Sequence, residues 1–260
     1  MEIFLLIGLV LGIVMGLTGA GGGILFVPLI TSFTQLTIAE AAPLGLMTVL
    51  SASSISAILG LKHGHVRYRA AILMSIFGIF FSAMGLWVAH HTSNHILSIV
   101  FSIVLLWSAF NTLRAKGDLN QKRTITCDQN PNTKRFIWTK KCSLFMMFSG
   151  SLAGFLSGML GVGGGFIIVP ALRKLSSLSH QSIIATSLTT ISIISLFIVL
   201  TSGLALQNIN WNIALSCLIG SIVGIVIAKS IYKKLNTNIF NKIFAFLLIA
   251  VALLFISRSH

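Results

Sequence analysis

Acidic residues are the scarcest feature of this chain. Asp and Glu number only 4 in 260 residues (Glu2, Glu40, Asp118 and Asp128), and none falls in the middle of an apolar run. A membrane path for cations or protons is ordinarily lined by buried carboxylates, so that class of protein is disfavoured. Charge of either sign is rare, at 8% of residues against about a quarter in soluble domains. So few charges cannot cover the surface of a water-soluble domain of this size. Cysteine is sparse too. Cys127, Cys142 and Cys217 show no CxxC spacing and read as isolated thiols, with neither a disulfide frame nor a zinc site. No carboxylate pair, Cys/His dyad, HExxH or GxSxG pattern is present, so no enzyme, metal or cofactor is expected.

What is abundant is hydrocarbon. The chain is 55% hydrophobic with mean hydropathy +0.97, and its apolar stretches are long enough to cross a bilayer. The opening Met-Glu-Ile-Phe-Leu has no basic region and no small-residue cleavage site. It is read as membrane structure rather than a signal peptide. The formal charge is +14, but the basic residues lie between apolar segments. That placement indicates topology and contact with anionic lipid heads rather than a nucleic-acid partner.

The sequence repeats itself at an offset of 142: residues 8–28 read GLVLGIVMGLTGAGGGILFVP and residues 150–170 read GSLAGFLSGMLGVGGGFIIVP. Nine of these 21 positions are identical, and seven of the nine are glycine. Each half continues with three ordinary apolar segments. The expected segments are 3–31, 38–61, 70–90 and 94–113, then 143–172, 182–205, 211–231 and 239–257. The fold class is therefore all-α integral membrane, with two repeats, 1–113 and 142–260, joined by a basic loop, 114–141.

Charge decides orientation. Lys62, Arg67 and Arg69 follow the second segment, whereas the matching loop at 206–210 has no Lys or Arg. The loop near His90 has none either, yet its counterpart carries Lys229, Lys233 and Lys234. Opposite bias in matching loops is what inverted-topology repeats require. If both Gly-rich segments dip in and return, 17 of the 18 basic residues share one side, leaving only Arg258 opposite. Six spans plus two re-entrant hairpins are therefore expected, each hairpin arm being about 10 to 16 residues and too short to cross. Both termini then lie outside a multi-pass protein of the cell (inner) membrane, with 114–141 and 173–181 inside.

The glycine runs 19–23 and 161–165 are the most informative residues. Consecutive glycines expose backbone amides, and a half-helix starting there adds its positive end, which together suit an anion. The same glycines also permit tight turns and close helix packing. Neither run is a nucleotide fingerprint, because Ile24 and Phe166 stand where a last glycine belongs and no Lys-Ser/Thr follows. Gly21, Gly22, Gly23, Gly163, Gly164 and Gly165 are the candidate backbone donors for a small anionic substrate. Hydroxyls at Thr48, Ser51, Ser53 and Ser54, and at Thr186, Ser187, Thr189 and Thr190, lie at similar depth. Thr186 and Ser187 are the candidates for orienting the anion's oxygens. His91 and His95 have the spacing of a metal pair but fall in a short outer loop, which is read as solvated.

The doubled G-x3-G-x2-G-x-G-G-G-x3-V-P resembles the sulfite exporter TauE/SafE family over essentially the whole chain. Ala185-Thr186-Ser187-Leu188 is similar to the family's A/G-T-S-L segment. Asn208-Ile209-Asn210-Trp211 is similar to its small-Val-Asp-Trp turn. In the first half Pro43-Leu44-Gly45-Leu46 and His65-Val66-Arg67-Tyr68 replace those two motifs. The resemblance implies transport of sulfur-containing anions such as sulfite, organosulfonates or thiosulfate, with the hydroxyl contacts coming mainly from the second half. An alternating-access carrier is the leading expectation. An anion channel or a non-transporting membrane subunit remains the alternative.

Overall fold

With no water to satisfy backbone groups inside a bilayer, an apolar chain must close its hydrogen bonds within helices. The computed structural model does so. It describes residues 2–19, 22–34, 36–114, 127, 139–176, 178–201, 211–231 and 244–253. In order these form α1 (Glu2–Thr18), α2 (Gly22–Phe33), α3 (Ile38–Lys62), α4 (Tyr68–His91), α5 (Asn94–Arg114), α6 (Lys140–Leu160), α7 (Gly165–Leu175), α8 (His180–Thr201), α9 (Trp211–Ile231) and α10 (Phe244–Leu253). Large apolar side chains such as Phe80, Trp87, Phe148 and Leu200 project outward, as expected where lipid is the solvent.

Local chemistry sets the helix ends. Thr37 and Glu40 form a reciprocal capping box at the start of α3, which gives one of the rare acids a structural role. The other end of α3 closes with bonds from His65 N–H to Gly60 O and from Gly64 N–H to Leu61 O, both 3.0 Å. This is the Schellman arrangement, with Gly64 at φ +68°. Thr139 caps α6, and Gly161, at φ +72°, ends it.

Two helix pairs come together through glycine. A Cβ on Gly154 of α6 would strike the backbone of Gly78 in α4, and one on Gly158 would strike Ser82. On the other side of the molecule, Gly8 and Gly12 of α1 abut Cys217 and Ser221 of α9. Residue numbers rise together along both contacts, so each pair runs parallel. Ser51 meets Ser221 at 3.0 Å and Lys229 reaches the Ser56 carbonyl, which makes α3 parallel to α9. Arg67 meets Thr186 and Gly78 meets Ile194, which makes α4 parallel to α8. By contrast, α3 crosses α8 head to tail: Gly60 lies on Ala185, Ser54 on Ser192 at 2.8 Å, and Leu46 packs with Ile194 and Ile198.

Two expectations need correction. The breaks fall in the glycine runs, but the first arms are longer than 10 to 16 residues: α1 has 17 and α6 has 21, or about 32 Å at 1.5 Å per residue. Consequently α6 is, among the described residues, one of six helices long and apolar enough to cross a membrane, with α3, α4, α5, α8 and α9. The small faces of α1 and α6 let both continue along a neighbour's backbone past the length expected for a half-span. Pro28 and Pro170 lie inside α2 and α7. The tolerance has a reason, since membrane helices accept proline where neighbours and hydroxyls absorb the freed carbonyls, and Thr31 Oγ1 donates to Val27 O nearby.

The last correction concerns cysteine. Cys127 and Cys142 are joined by a disulfide, leaving buried Cys217 as the free thiol. Spacing along the chain concealed the pair because tertiary contacts make it. Cys127 donates its N–H to Leu175 O at 2.8 Å and bridges Ser176, at the end of α7, while Cys142 sits in the first turn of α6. The rest of the loop 115–138 lies outside the described residues. Denatured, unreduced protein from membranes should take up one maleimide per chain, and three after reduction. Uptake of three without reduction would show that the pair persists as thiols in the cell.

Candidate functional site

The glycine run that breaks the second repeat sits wholly inside the protein. Residues 161–169 are all buried. Gly163 and Gly164 have φ of +80° and +65°, a backbone region that side chains rarely adopt, so the chain can turn from the end of α6 into the start of α7. In that turn the amides of Gly163, Gly164 and Gly165 donate to no acceptor among the described residues, whereas the Gly164 carbonyl accepts from Ile167 and Ile168. Buried amides without partners are rare in folded proteins. They also stand at the positive end of α7, an 11-residue helix.

The first break is placed comparably. Gly22 and Gly23 open α2 and are buried, and their amides belong to the four that a helix start leaves without an internal partner. Gly21 lies outside the described residues. The two breaks converge on one side chain: a Cβ on Gly23 or on Gly163 would stand 2.7 Å from a methyl of Val49, in α3. Gly23 also faces the Val162 carbonyl, and Gly163 faces Ile191 of α8. Beside the first break lies a cavity with room for about one water, lined by Gly12, Gly22, Gly23, Thr48, Val49 and Ser221 among others. Packing is therefore part of what these glycines do. At Gly22 a Cβ would collide with the Leu11 carbonyl, and at Gly164 with Ala153 O.

Thr186 and Ser187 occupy a different level of α8. Both are fully buried. Ser187 Oγ donates to Gly19 O at 3.0 Å, where α1 ends, and to Ile184 O at 2.9 Å. Thr186 Oγ1 accepts the main-chain N–H of Arg67 at 3.0 Å. Ile191, against Gly163, is one helical turn further along than Ser187, so the hydroxyls adjoin the end of α1 rather than the glycine amides.

Most other candidate hydroxyls bond their own helix. Thr48 donates to Leu44 O, Thr189 to Ala185 O and Thr190 to Thr186 O, the back-bonding usual for Ser and Thr in apolar helices. Two pairs instead tie helices together, Ser54 with Ser192 and Ser51 with Ser221. Their chain separation hid these pairings from a single-sequence reading. His91 ends α4 and His95 lies in α5, so the two do not share a helix face. His91 Nδ1 lies 2.9 Å from Trp87 O.

A family model described as sulfite exporter TauE/SafE matches residues 4–255. A probable membrane transporter protein of Xylella fastidiosa strain Temecula1 is 28% identical over 259 residues, covering 97% of this chain and 93% of its own. The probable membrane transporter protein YunE of Bacillus subtilis is 27% identical over 260 residues, covering 96% of this chain and 94% of its own. A probable membrane transporter protein of Methanocaldococcus jannaschii matches over 178 residues at 28% identity, 66% of this chain and 61% of its own.

The Ser187 hydroxyl satisfies a buried carbonyl at the broken end of α1, and leaving such an acceptor unpaired costs about 1–3 kcal/mol. Ser187→Ala should therefore lower the thermal unfolding midpoint of the detergent-purified protein. An unchanged midpoint would mean that this bond does not hold the first break in place.

Proposed function

The chain belongs to the sulfite exporter TauE/SafE family, and from that premise we propose that it is an alternating-access secondary carrier of small sulfur-containing oxyanions in the cell (inner) membrane. Sulfite, an organosulfonate or thiosulfate is the substrate class. The observation that carries the reading is the set of buried glycine amides at Gly163–Gly165 with no acceptor among the described residues. Backbone donors at a helix start bind anions without placing a fixed charge in the membrane. The near-absence of acid agrees, because neither described acid, Glu2 at the start of α1 or Glu40 in the α3 capping box, adjoins the breaks.

In this reading Gly21, Gly22 and Gly23 supply donors from one half, and Gly163, Gly164 and Gly165 from the other. Val49 packs against both breaks, so an anion with several oxygens can lodge there only when the halves separate around that side chain. Thr186 and Ser187 meet the anion on its way in. The name carried by the relatives, probable membrane transporter protein, agrees with transport rather than catalysis.

The inverted-repeat architecture, 1–113 against 142–260, is supported by the helix directions. Counterparts α3 and α8 cross head to tail. Helices α1, α3 and α9 share one direction and α4, α6 and α8 the other, so α1 opposes α6, α3 opposes α8 and α4 opposes α9. Because α1 and α3 run the same way, α2 must bring the chain back to the side it left, and α7 does the same after α6. This supports re-entry of both hairpins, with the long α6 reaching deep before it turns.

Two measurements test the reading. In proteoliposomes, uptake of labelled sulfite or thiosulfate should saturate and accelerate when the lumen is preloaded with the same anion. Current that follows the gradient without counterflow would make it a channel, and no flux at all would make it a subunit. For topology, a chain lacking Cys127, Cys142 and Cys217 can carry one reporter cysteine at Ser177 or Asn120. In intact cells both positions should escape an impermeant thiol reagent. Labelling of Ser177 alone would overturn re-entry of the second hairpin.

A further inference from the structure

Beyond the glycine breaks, the turn between α3 and α4 and the α8 residue bonded to it hold a second pair of donors without acceptors among the described residues. We propose that Arg67 and Thr186 form a separate oxyanion-holding position at this end of the molecule, where the substrate rests before or after passing the glycine breaks. The proposal rests on the anion-carrier reading and deepens it.

Three observations meet here. Thr186 is fully buried, and its hydroxyl oxygen accepts the Arg67 main-chain N–H at 3.0 Å. That bond occupies an oxygen lone pair and leaves the hydroxyl proton free, and it reaches no acceptor among the described residues. The guanidinium of the same Arg67 has its Nε buried with no hydrogen-bond partner. Two buried donors on adjoining residues thus lack an acceptor, and one of them belongs to a permanent cation.

No described carboxylate is placed to serve. Glu40 is held by Thr37 at the opposite end of α3. Glu2 opens α1, which runs parallel to α3 and so also starts at the far side. A buried donor left unmatched is costly, and more so when charged. A ligand with several acceptor oxygens and a negative charge completes the set. A planar guanidinium with fixed N–H directions suits a sulfonate or sulfite oxygen better than a lysine would.

The position also adjoins the path. Ser187, next to Thr186, bonds Gly19 at the end of α1, and Gly60, in the last turn of α3, packs on Ala185. An anion held between Arg67 and Thr186 therefore lies beside the first helix break. Arg69 provides the contrast, since it is exposed and lies over the Tyr68 ring at 6.0 Å.

The test is anion-dependent thermal stabilisation of the purified full-length protein in detergent, titrated with sodium thiosulfate and sodium sulfite against sodium chloride at equal ionic strength. Wild type and Arg69→Gln should be stabilised by the sulfur oxyanions. Arg67→Gln should need about tenfold or more anion for the same shift, as loss of a charge-assisted bond implies. Arg67→Lys, which keeps the charge but not the fork, should fall between them and guards against a glutamine variant that fails to fold, as judged by gel filtration. If Arg67→Gln and Arg67→Lys both respond like wild type, Arg67 holds no anion, although the carrier reading survives. If wild type itself shows no response beyond chloride, the carrier reading fails and this proposal with it.

Discussion

A broken helix can exist at membrane depth only if other protein covers its loose ends. Lipid offers no hydrogen bonds, so each amide or carbonyl freed by the break must find a partner in the fold or remain as a standing demand for one. Much of this structure follows from that constraint. The carbonyl at the end of α1 is met by Ser187 from the other half. The second break is enclosed among α3, α6 and α8 through Val49, Ala153 and Ile191. The amides at the start of α7 are left without a partner among the described residues.

Enclosure of that quality requires very close helices. Hydrophobic burial does little to draw helices together in lipid, where dispersion contacts take over. The parallel pairs α1 with α9 and α4 with α6 approach until a Cβ would strike a neighbouring backbone. The glycine stripes thus serve two levels at once. Along α1 and α6 they allow contact, and at the breaks they expose amides and permit left-handed turns. One residue type at a regular spacing serves both ends, which explains why the repeat survives in glycine while most other positions have diverged.

Electrostatics follows the same logic. Partial charges on fixed amides cost far less to keep in a membrane than a full charge does. The full charges are set at the ends of helices instead, with Arg67 between α3 and α4, Arg173 in the last turn of α7 and Lys229 in the last turn of α9.

Much of this could be read from sequence because its determinants are local or periodic. Apolar runs report the helices, glycine doublets and triplets report the breaks, and the offset of 142 between like motifs reports the repeat. The Thr37–Glu40 capping box is likewise a signal within four residues. What depended on distant parts of the chain could not be read this way. The Cys127–Cys142 bond arises because the end of α7 holds Cys127 near the start of α6. The length of α6 reflects a neighbour that accepts its glycine face. Thr186 and Ser187 were identifiable as polar residues on an apolar helix, but their partners, Arg67 and Gly19, lie 119 and 168 positions away. The sequence alone determined which segments are helical, where they break and which residues carry donors. Only the tertiary structure decided which donors are matched and which stay unmatched, because a hydrogen bond requires two groups at one point in space and only the packing of the two halves sets that point.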